Sequence, residues 1–250
     1  MKKIELVQVD HSVKVGDLCE SFEPNIKEDS MFMYEGKAVG FFITNIEGKL
    51  KKFIDIANNE FRSDRVPKTV MTRASGVEQY STIIGSVPPK PHQRRPYPSI
   101  SSVHNTKSAR IFIKAMLGAC REAENILKEI LPEQYNQQVE LIKEYVPEKY
   151  RLGKCFTSSI NNYNISAPFH RDTANIKGCV NVIFTKKKNA TGGDLHVPDY
   201  NATMDSSDNS MLVYPAWRNV HGVTPIIPTS KGGYRNSLVF YPLASFKGKK

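Results

Sequence analysis

The spacing of apolar positions changes twice along the chain and divides it into three regions. In the first 60 residues, apolar and polar positions alternate in segments such as 37–44 and 53–56, which predicts strands. Between residues 106 and 145, apolar residues recur every three or four positions, which predicts helices. From residue 151 onward, short β-branched and aromatic runs are separated by Gly, Asn and Pro, which predicts many short strands.

Two helices and four C-terminal strands can be given approximate bounds. We expect the first helix to be capped by Thr106 or Ser108 and to end at Pro132, and the second to cover 134–145. The predicted strands cover 180–184, 194–197, 211–214 and 236–241, and 201–210 forms a short polar loop. Many short strands with turns between them are typical of a sandwich or a jelly roll, and the preceding helices make the fold class α+β.

The segment 86–103 contains five prolines, which exclude a helix and a central strand there. It also carries Lys90, Arg94 and Arg95, so we expect an extended basic arm on the surface. The predicted organisation is an N-terminal mixed region at 1–105, with this arm packed on the core, followed by helices and a β-rich core at 106–250. No linker-like segment separates the two regions, so we expect one continuous domain.

Composition limits the class of protein and its partners. With 40% hydrophobic positions and a mean hydropathy of −0.42, the 250 residues are neither a disordered tail nor a membrane bundle. The formal net charge of +10 favours a polyanionic partner, but does not distinguish nucleic acid from a ribosome or a phospholipid surface. Without a signal-peptide pattern or an apolar run of ~20 residues, we expect an intracellular protein without membrane contact, nuclear if eukaryotic. We also expect a monomer.

The first candidate chemistry is a metal site. In His170-Arg171-Asp172, an imidazole and a carboxylate lie two residues apart, and on an extended backbone both point to one face. His221 follows a predicted strand and offers a third ligand. Two imidazoles and a carboxylate form the facial triad of non-haem Fe(II) oxygenases. The alternative is that these residues lie in a surface turn.

A second candidate site lies fourteen residues after His221. Arg235 occupies an otherwise apolar strand, and Ser237 points to the same face two residues later. Burying a lone guanidinium is costly unless it meets an anion, and its bidentate geometry suits a carboxylate. The distal end of 2-oxoglutarate would meet this requirement. The alternative is a salt bridge on an edge strand.

Several further motifs accompany these residues between positions 130 and 243. In chain order, the set is Tyr135-Asn136-Gln137-Gln138-Val139-Glu140, Tyr150-Arg151-Leu152-Gly153, His170-Arg171-Asp172-Thr173-Ala174-Asn175, Leu195-His196-Val197, His221-Gly222-Val223-Thr224-Pro225 and Arg235-Asn236-Ser237-Leu238-Val239-Phe240-Tyr241. Together and in this order, they resemble the TET/JBP group of Fe(II)/2-oxoglutarate-dependent DNA dioxygenases, and within it the TET enzymes. Residues 1–130 carry no motif of this resemblance.

The resemblance implies a fold, cofactors and residue roles. The fold would be a double-stranded β-helix of jelly-roll or cupin type with flanking helices, using Fe(II), 2-oxoglutarate and O₂. The implied roles are Fe(II) binding by His170, Asp172 and His221, 2-oxoglutarate binding by Arg151, His196, Arg235 and Ser237, and base contacts by Asn175 and Tyr241. Three of these residues have structural alternatives: Arg151 at a helix end, His196 as a core histidine and Tyr241 as plain core.

The resemblance also implies a reaction on DNA. The substrate would be double-stranded DNA whose 5-methylcytosine is flipped out and oxidised to 5-hydroxymethylcytosine. Onward oxidation to formyl- and carboxylcytosine stays open, as does action on thymine or N6-methyladenine. Candidate contacts to the DNA backbone are Lys90, Arg94, Arg95 and a predicted turn with Lys186, Lys187 and Lys188. The alternatives are a peptide or metabolite hydroxylase of the same chemistry and a catalytically silent DNA-binding relative.

Two departures from the family pattern affect these expectations. Animal TET enzymes carry a cysteine-rich zinc-binding region, which the four scattered cysteines of this chain do not reproduce. We therefore expect no structural zinc, and the cysteines are predicted to be reduced core residues. The position of a base-contacting histidine in those enzymes is Leu243 here. This substitution leaves the base preference and the extent of oxidation open.

Overall fold

The computed structural model describes residues 1–71, 78–89 and 97–246. Its helices are α1 (Gly48–Arg62), α2 (Arg110–Ile130) and α3 (Pro132–Tyr145). The strands are β1 (Lys2–Glu5), β2 (Ser30–Tyr34), β3 (Lys37–Ile43), β4 (Thr69–Val70), β5 (Tyr80–Val87), β6 (Ser99–Ile100), β7 (Ser158–Tyr163), β8 (Ala167–His170), β9 (Asn181–Lys188), β10 (Ala190–Gly192), β11 (Leu195–Val197), β12 (Ala202–Met204), β13 (Met211–Tyr214), β14 (His221–Val223), β15 (Ile226–Pro228) and β16 (Tyr234–Tyr241).

The strands form a large and a small sheet. In the large sheet the order is β1-β2-β3-β13-β9-β16-β7-β5-β4, with β6 paired to β5. The small sheet has the order β12-β11-β14-β8, and β10 pairs with β15. Apart from the parallel pair β1–β2, the pairs within the large sheet are antiparallel. The N-terminal strands β1 to β3 thus extend the sheet that holds the C-terminal strands.

The two faces of the large sheet bury different partners. One face packs against α1 and α2, in a core that includes Ile54, Phe112, Phe184 and Phe240. On the other side, residues of β2, β3 and β13 pack with Leu195 and other residues of the small sheet. Helices therefore cover one face and a second sheet the other. This arrangement confirms the predicted α+β fold with a double-stranded β-helix core.

Side-chain alternation along β16 separates structural from cavity-lining positions. Leu238 and Phe240 belong to the core below the helices, whereas Arg235, Ser237 and Val239 line a cavity between the sheets. This follows from the two-residue period of a strand. The central strand thus stabilises the helical layer with one face and builds a polar site with the other.

The predicted strand at 53–56 is wrong, because these residues lie within α1. Leu50, Ile54, Ala57 and Phe61 are buried at spacings of three or four residues, which places them on one helical face. The local Phe-Ile-Asp-Ile pattern fits both periods over so short a stretch. Packing of the longer apolar face against α2 and the large sheet decides in favour of the helix.

The predicted N-terminal ends of the other two helices are also corrected. α2 begins at Arg110 after Ala109, without a side-chain cap, and the Ser108 hydroxyl instead donates to the Arg65 carbonyl at 2.7 Å. Thr106 gives no side-chain cap either. α2 ends at Ile130, just before the predicted end at Pro132, and Pro132 is also the first residue of α3, where its missing N–H costs nothing.

Two smaller predictions concern loops and cysteines. The predicted polar loop at 201–210 contains strand β12, which pairs with β11. The four cysteines are free thiols buried in the structure, as predicted. Lys90, Arg94 and Arg95 of the basic arm lie outside the described residues.

Candidate metal centre and active site

The three predicted metal ligands lie together between the sheets. His170 ends β8 and pairs with His221 at the start of β14, and Asp172 follows two residues after His170. Asp172 Oδ1 lies 3.5 Å from His170 Nε2 and 3.9 Å from His221 Nε2. One ligand atom of each residue lies within 4.8 Å of the other two, so the group could hold a metal ion. Two imidazoles and one carboxylate match the donor set of Fe(II) oxygenases.

Backbone carbonyls orient both imidazoles. His170 Nδ1 lies 2.8 Å from the Pro168 carbonyl, and His221 Nδ1 lies 3.1 Å from the Asn219 carbonyl. In the neutral tautomer with the proton on Nδ1, each ring donates to its carbonyl and keeps the Nε2 lone pair for a metal. The chain therefore directs both Nε2 atoms toward Asp172 before any metal binds.

The electrostatics of the centre keep its carboxylate charged. Burial by itself would raise the pKa of Asp172, but the hydrogen bond with His170 and the charges of both histidines lower it. The hydrogen bond with Asp172 raises the pKa of His170, whereas burial and repulsion by His170 lower that of His221 to about 4. Asp172 is thus anionic and His221 neutral at physiological pH, as metal coordination requires.

Two asparagines fix the side of the Asp172 carboxylate that faces away from the histidines. Asn181 Nδ2 donates to Asp172 Oδ2 at 2.8 Å, while Asn175 Nδ2 donates to Asn181 Oδ1 at 2.9 Å and to Asp172 Oδ2 at 3.4 Å. Both amides are buried. Because the two amides hold Oδ2, the other carboxylate oxygen, Oδ1, faces the two imidazoles.

We expect Asn181→Ala to weaken metal binding by about 10- to 100-fold, the usual effect of removing a group that orients a ligand. Anaerobic titration with Co(II), followed by its visible absorption, measures this affinity. Asn161→Ala is the matched control, because Asn161 is equally buried in β7 but lies outside the residues lining the cavity. An unchanged Co(II) affinity in Asn181→Ala would show that the Asp172 carboxylate needs no support from this amide.

A cavity of about 260 Å³ adjoins the triad and contains Arg235 and Ser237. Arg235 is only 3% exposed, and its Nε has no hydrogen-bond partner in the part of the chain that the structure describes. Burial lowers its pKa to about 10, which leaves it a cation at physiological pH. A buried guanidinium with an unused donor fits a ligand carboxylate, so the residues present fit 2-oxoglutarate as well as Fe(II).

Two predicted 2-oxoglutarate contacts lie away from this cavity. Arg151 Nε donates to the Val146 carbonyl at 2.9 Å, so its guanidinium satisfies the C-terminal end of α3. Its side chain lines a different cavity, beside Lys143 and Glu148. The structural alternative for Arg151, a residue at a helix end, describes its observed position.

His196 points to the opposite face of the small sheet. Its ring stacks on Phe22 with 3.8 Å between centroids, and Nδ1 lies 2.8 Å from Thr203 Oγ1. Burial lowers its pKa to about 4. The neighbouring Leu195 lines the triad cavity instead, as strand alternation requires. His196 is therefore a satisfied core histidine in this structure.

The two predicted base contacts lie near the triad, outside the residues that line the cavity. The Asn175 amide is engaged with Asp172 and Asn181. Tyr241 continues the Arg235 face of β16 and packs beside a cluster that contains Leu243 and Phe246. Burial raises its pKa to about 12. Contact of either residue with a base stays a prediction.

The predicted lysine turn is the end of strand β9, and two of its three lysines are engaged in ion pairs. Lys186 is buried and lies 2.9 Å from Asp55 and 3.0 Å from Asp208. Lys187 lies 3.5 Å from Asp194. Lys188 is the exposed member. Lys186 and Lys187 are thus engaged in internal ion pairs, and their contact with the DNA backbone stays a prediction.

Sequence reasoning missed several polar residues near the site. Asn181 and Asn162 line the cavity, and Tyr214 packs edge-on against His221 with 5.3 Å between ring centroids. Asn181 at the start of β9 and Asn162 within β7 could have been noticed in the sequence, because an asparagine in a short strand is a candidate for a polar site. Asp194 was equally visible, since it follows Gly192-Gly193 and precedes β11.

Comparisons with known proteins agree with this geometry. A family model described as the Tet_JBP oxygenase domain of the 2OGFeDO superfamily matches residues 89–243. No curated protein sequence matches the chain. The solved structure of NgTET1 in complex with 5mC DNA is 14% identical, covers 93% of this chain and 84% of its own, and has a TM-score of 0.61. At this identity the similarity shows the fold.

Two further structures are more distant. A 2OG-Fe(II) oxygenase family oxidoreductase from Burkholderia pseudomallei is 13% identical, with coverage of 83% of this chain and 86% of its own and a TM-score of 0.48. OsALKBH1 is 12% identical, with coverage of 82% and 98% and a TM-score of 0.43.

The fold and the site define an oxygenase of the Fe(II)- and 2-oxoglutarate-dependent class. Since the family model spans more than half of the chain, the protein belongs to the Tet_JBP family within that superfamily. Its match includes the triad and Arg235. Among the described helices, none combines the length and apolar character needed to cross a bilayer.

Proposed function

We propose that the protein oxidises the methyl group of 5-methylcytosine in double-stranded DNA, using Fe(II), 2-oxoglutarate and O₂. The observation that carries the chemistry is the His170, Asp172 and His221 triad, which shares one cavity with the buried, partly unpartnered guanidinium of Arg235. The DNA substrate is supported by the family membership, by the 5mC DNA in the NgTET1 structure and by the net charge of +10.

The tasks in this reaction divide among candidate metal ligands, cosubstrate contacts and apolar walls of the cavity. His170, Asp172 and His221 would hold Fe(II) from one side, and Arg235 with Ser237 would bind the distal carboxylate of 2-oxoglutarate. Bound Fe(II) supplies open coordination positions and, with 2-oxoglutarate and O₂, the oxidising power for the methyl group. Asn181 holds the Asp172 carboxylate, and Leu195, Val223 and Val239 give the cavity apolar walls.

A methyl group inside a duplex cannot reach this buried cavity, so the nucleotide has to leave the base stack. Flipping costs a few kcal/mol and is offset by contacts to the DNA backbone and to the flipped base. We propose Asn175 and Tyr241 for the base, and Lys188 with the basic arm for the backbone. A substrate of this kind would place the protein with the genome, in the nucleus if the source is eukaryotic.

Mass spectrometry of nucleosides tests the substrate. The protein is incubated with Fe(II), ascorbate, 2-oxoglutarate and duplexes that differ in one base: cytosine, 5-methylcytosine or N6-methyladenine. Formation of 5-hydroxymethylcytosine or its higher oxidation products, absent without 2-oxoglutarate, is the expected result. Succinate formation with no modified nucleoside in any duplex would reject DNA as the substrate and favour a peptide or metabolite.

We expect the triple substitution of Lys90, Arg94 and Arg95 by Ala to weaken DNA binding uniformly across sequences. The slope of log K against log salt concentration should fall by up to ~2.7, about 0.9 for each lost phosphate contact. Fluorescence anisotropy at several salt concentrations measures it. The matched control replaces Lys49, Lys52 and Lys128, three exposed lysines on α1 and α2, with the same change in charge. Equal slopes for both triple variants would reject the arm as a DNA contact.

A further inference from the structure

Two cations lie directly opposite each other beside the proposed cosubstrate site. Lys187 of β9 is the register partner of Arg235 in the antiparallel β9–β16 pair. The Arg235 side chain is buried, and that of Lys187 is 13% exposed. Like charges at directly opposite positions destabilise a sheet, and burial strengthens their repulsion. The two positive charges therefore need a negative charge nearby to offset their repulsion.

Asp194 provides the nearest negative charge. Its Oδ1 lies 3.5 Å from Lys187 Nζ and also accepts a hydrogen bond from the Ser206 backbone N–H at 2.8 Å. It is 6% exposed, and its charge stabilises the charged forms of both Lys187 and Arg235. Asp205 also acts on Lys187, but less than Asp194 does, and it is partly exposed to solvent.

The backbone before Asp194 also contacts the arginine. Gly193 has a φ of +74°, and a Cβ on it would lie 3.0 Å from Arg235 Cδ. The aliphatic part of Arg235 therefore packs directly on a bare backbone. Gly193 thus packs against the Arg235 side chain, and the charge of Asp194 acts on it. Lys187 and Asp194 also line a second cavity.

The charges of Arg235, Lys187 and Asp194 do not cancel. Two cations and one carboxylate leave one positive unit, whereas Arg235 with Asp194 alone would form a neutral pair with little attraction for another anion. Lys187 offsets the charge of Asp194, so the positive charge of Arg235 stays available to attract a ligand anion. One ligand carboxylate completes the balance.

We propose that Lys187 and Asp194 are positioning residues that set the cosubstrate pocket to one net positive charge and thereby select a ligand with one distal carboxylate. This inference rests on the proposed function, in that it takes Arg235 as the group that binds the distal end of 2-oxoglutarate. Neither residue touches the ligand in this proposal. Both act through the charge that they place beside Arg235: Asp194 stabilises the two cations, and Lys187 offsets the charge of Asp194.

The test uses isothermal titration calorimetry on the full chain loaded with Mn(II), without O₂. The probes are N-oxalylglycine, which has a distal carboxylate, and 2-oxopentanoate, which has the same chain length without one. We expect Lys187→Met to weaken N-oxalylglycine binding by about 10-fold or more, since a charge is lost close to the ligand in a poorly screened site. Asp194→Asn should not weaken it, and the double variant should return to within about threefold of the unsubstituted protein.

Binding of 2-oxopentanoate should change by less than about threefold in every variant. Lys52→Met, at an exposed position of α1, is the control for loss of a lysine and should leave both affinities unchanged. A purely structural role for Lys187 would instead weaken both ligands together and would not be rescued by Asp194→Asn. That result would overturn the inference.

Arg235→Met separates failure of the inference from failure of the proposed function. If it weakens N-oxalylglycine while Lys187→Met has no effect, the charge-setting role is rejected and the cosubstrate site stands. If Arg235→Met itself leaves N-oxalylglycine binding unchanged, the cosubstrate site is elsewhere and both fail. Thermal melting followed by circular dichroism verifies that each variant is folded under the conditions of the titration.

Discussion

Replacement of Asp172 by Ala is expected to lower the affinity for Fe(II) or Co(II) by more than ~100-fold and to abolish 2-oxoglutarate turnover. Asp172 supplies the negative charge of the triad, and its Oδ1 is the atom nearest to both imidazole Nε2 atoms. Without it, two neutral imidazoles remain, and losing a ligand exceeds the 10- to 100-fold effect of losing a group that orients one. Anaerobic Co(II) titration and succinate formation measure the two effects.

His170→Ala should give the same loss of turnover with the fold retained, because His170 ends a strand and is partly exposed. Asp10→Ala removes an exposed carboxylate and is the control for a general effect of charge. Far-ultraviolet circular dichroism verifies the fold of each variant. Full turnover in either triad variant would remove these residues from the metal site.

Replacement of Arg235 by Met is the second large effect. It should raise the apparent Michaelis constant for 2-oxoglutarate by roughly 30- to 150-fold, because a charged hydrogen bond contributes about 2–3 kcal/mol in a buried site. Metal affinity should be unchanged, since Arg235 is not one of the ligands. Steady-state kinetics at varied 2-oxoglutarate, together with the Co(II) titration, measure the difference.

The melting temperature should not fall in this variant. Burial lowers the pKa of Arg235 below its ordinary value, so the charged guanidinium destabilises the folded state at neutral pH, and methionine removes this cost. Asp194 keeps Lys187 as its partner. An unchanged Michaelis constant, or a large drop in melting temperature, would mean that Arg235 serves the fold rather than the cosubstrate.

Local sequence pattern was sufficient where the chemistry follows strand geometry. His170 and Asp172 could be paired from their two-residue spacing, and Arg235 with Ser237 from the same alternation along β16. The predicted Arg235 face is the one that lines the cavity. His221 lies on a different strand, so its position beside His170 and Asp172 could not be predicted from spacing. The order of the short strands and the family resemblance supported it.

Local pattern was insufficient where two structures fit the same few residues. The segment 53–56 satisfies a strand period and a helix period, and only the longer face from Leu50 to Phe61, packed against α2, decides for α1. The position of His196 outside the triad cavity has a related reason. The Leu195-His196-Val197 motif was recognised in the sequence. Whether Leu195 or His196 points into the cavity depends on which face of the small sheet lines it, and the sequence does not show this.

The sequence by itself predicted the α+β class, the three candidate metal ligands and the buried arginine, because residue type, spacing along a strand and the order of the family's motifs can all be read along the chain. Tertiary structure alone decided that the Arg151 side chain donates to the Val146 carbonyl at the end of α3, that Asn181 holds Asp172, and that Lys187 lies opposite Arg235 and 3.5 Å from Asp194. These relations join residues from different strands, helices and turns. Their distances depend on how the sheets and helices pack, which no local pattern specifies.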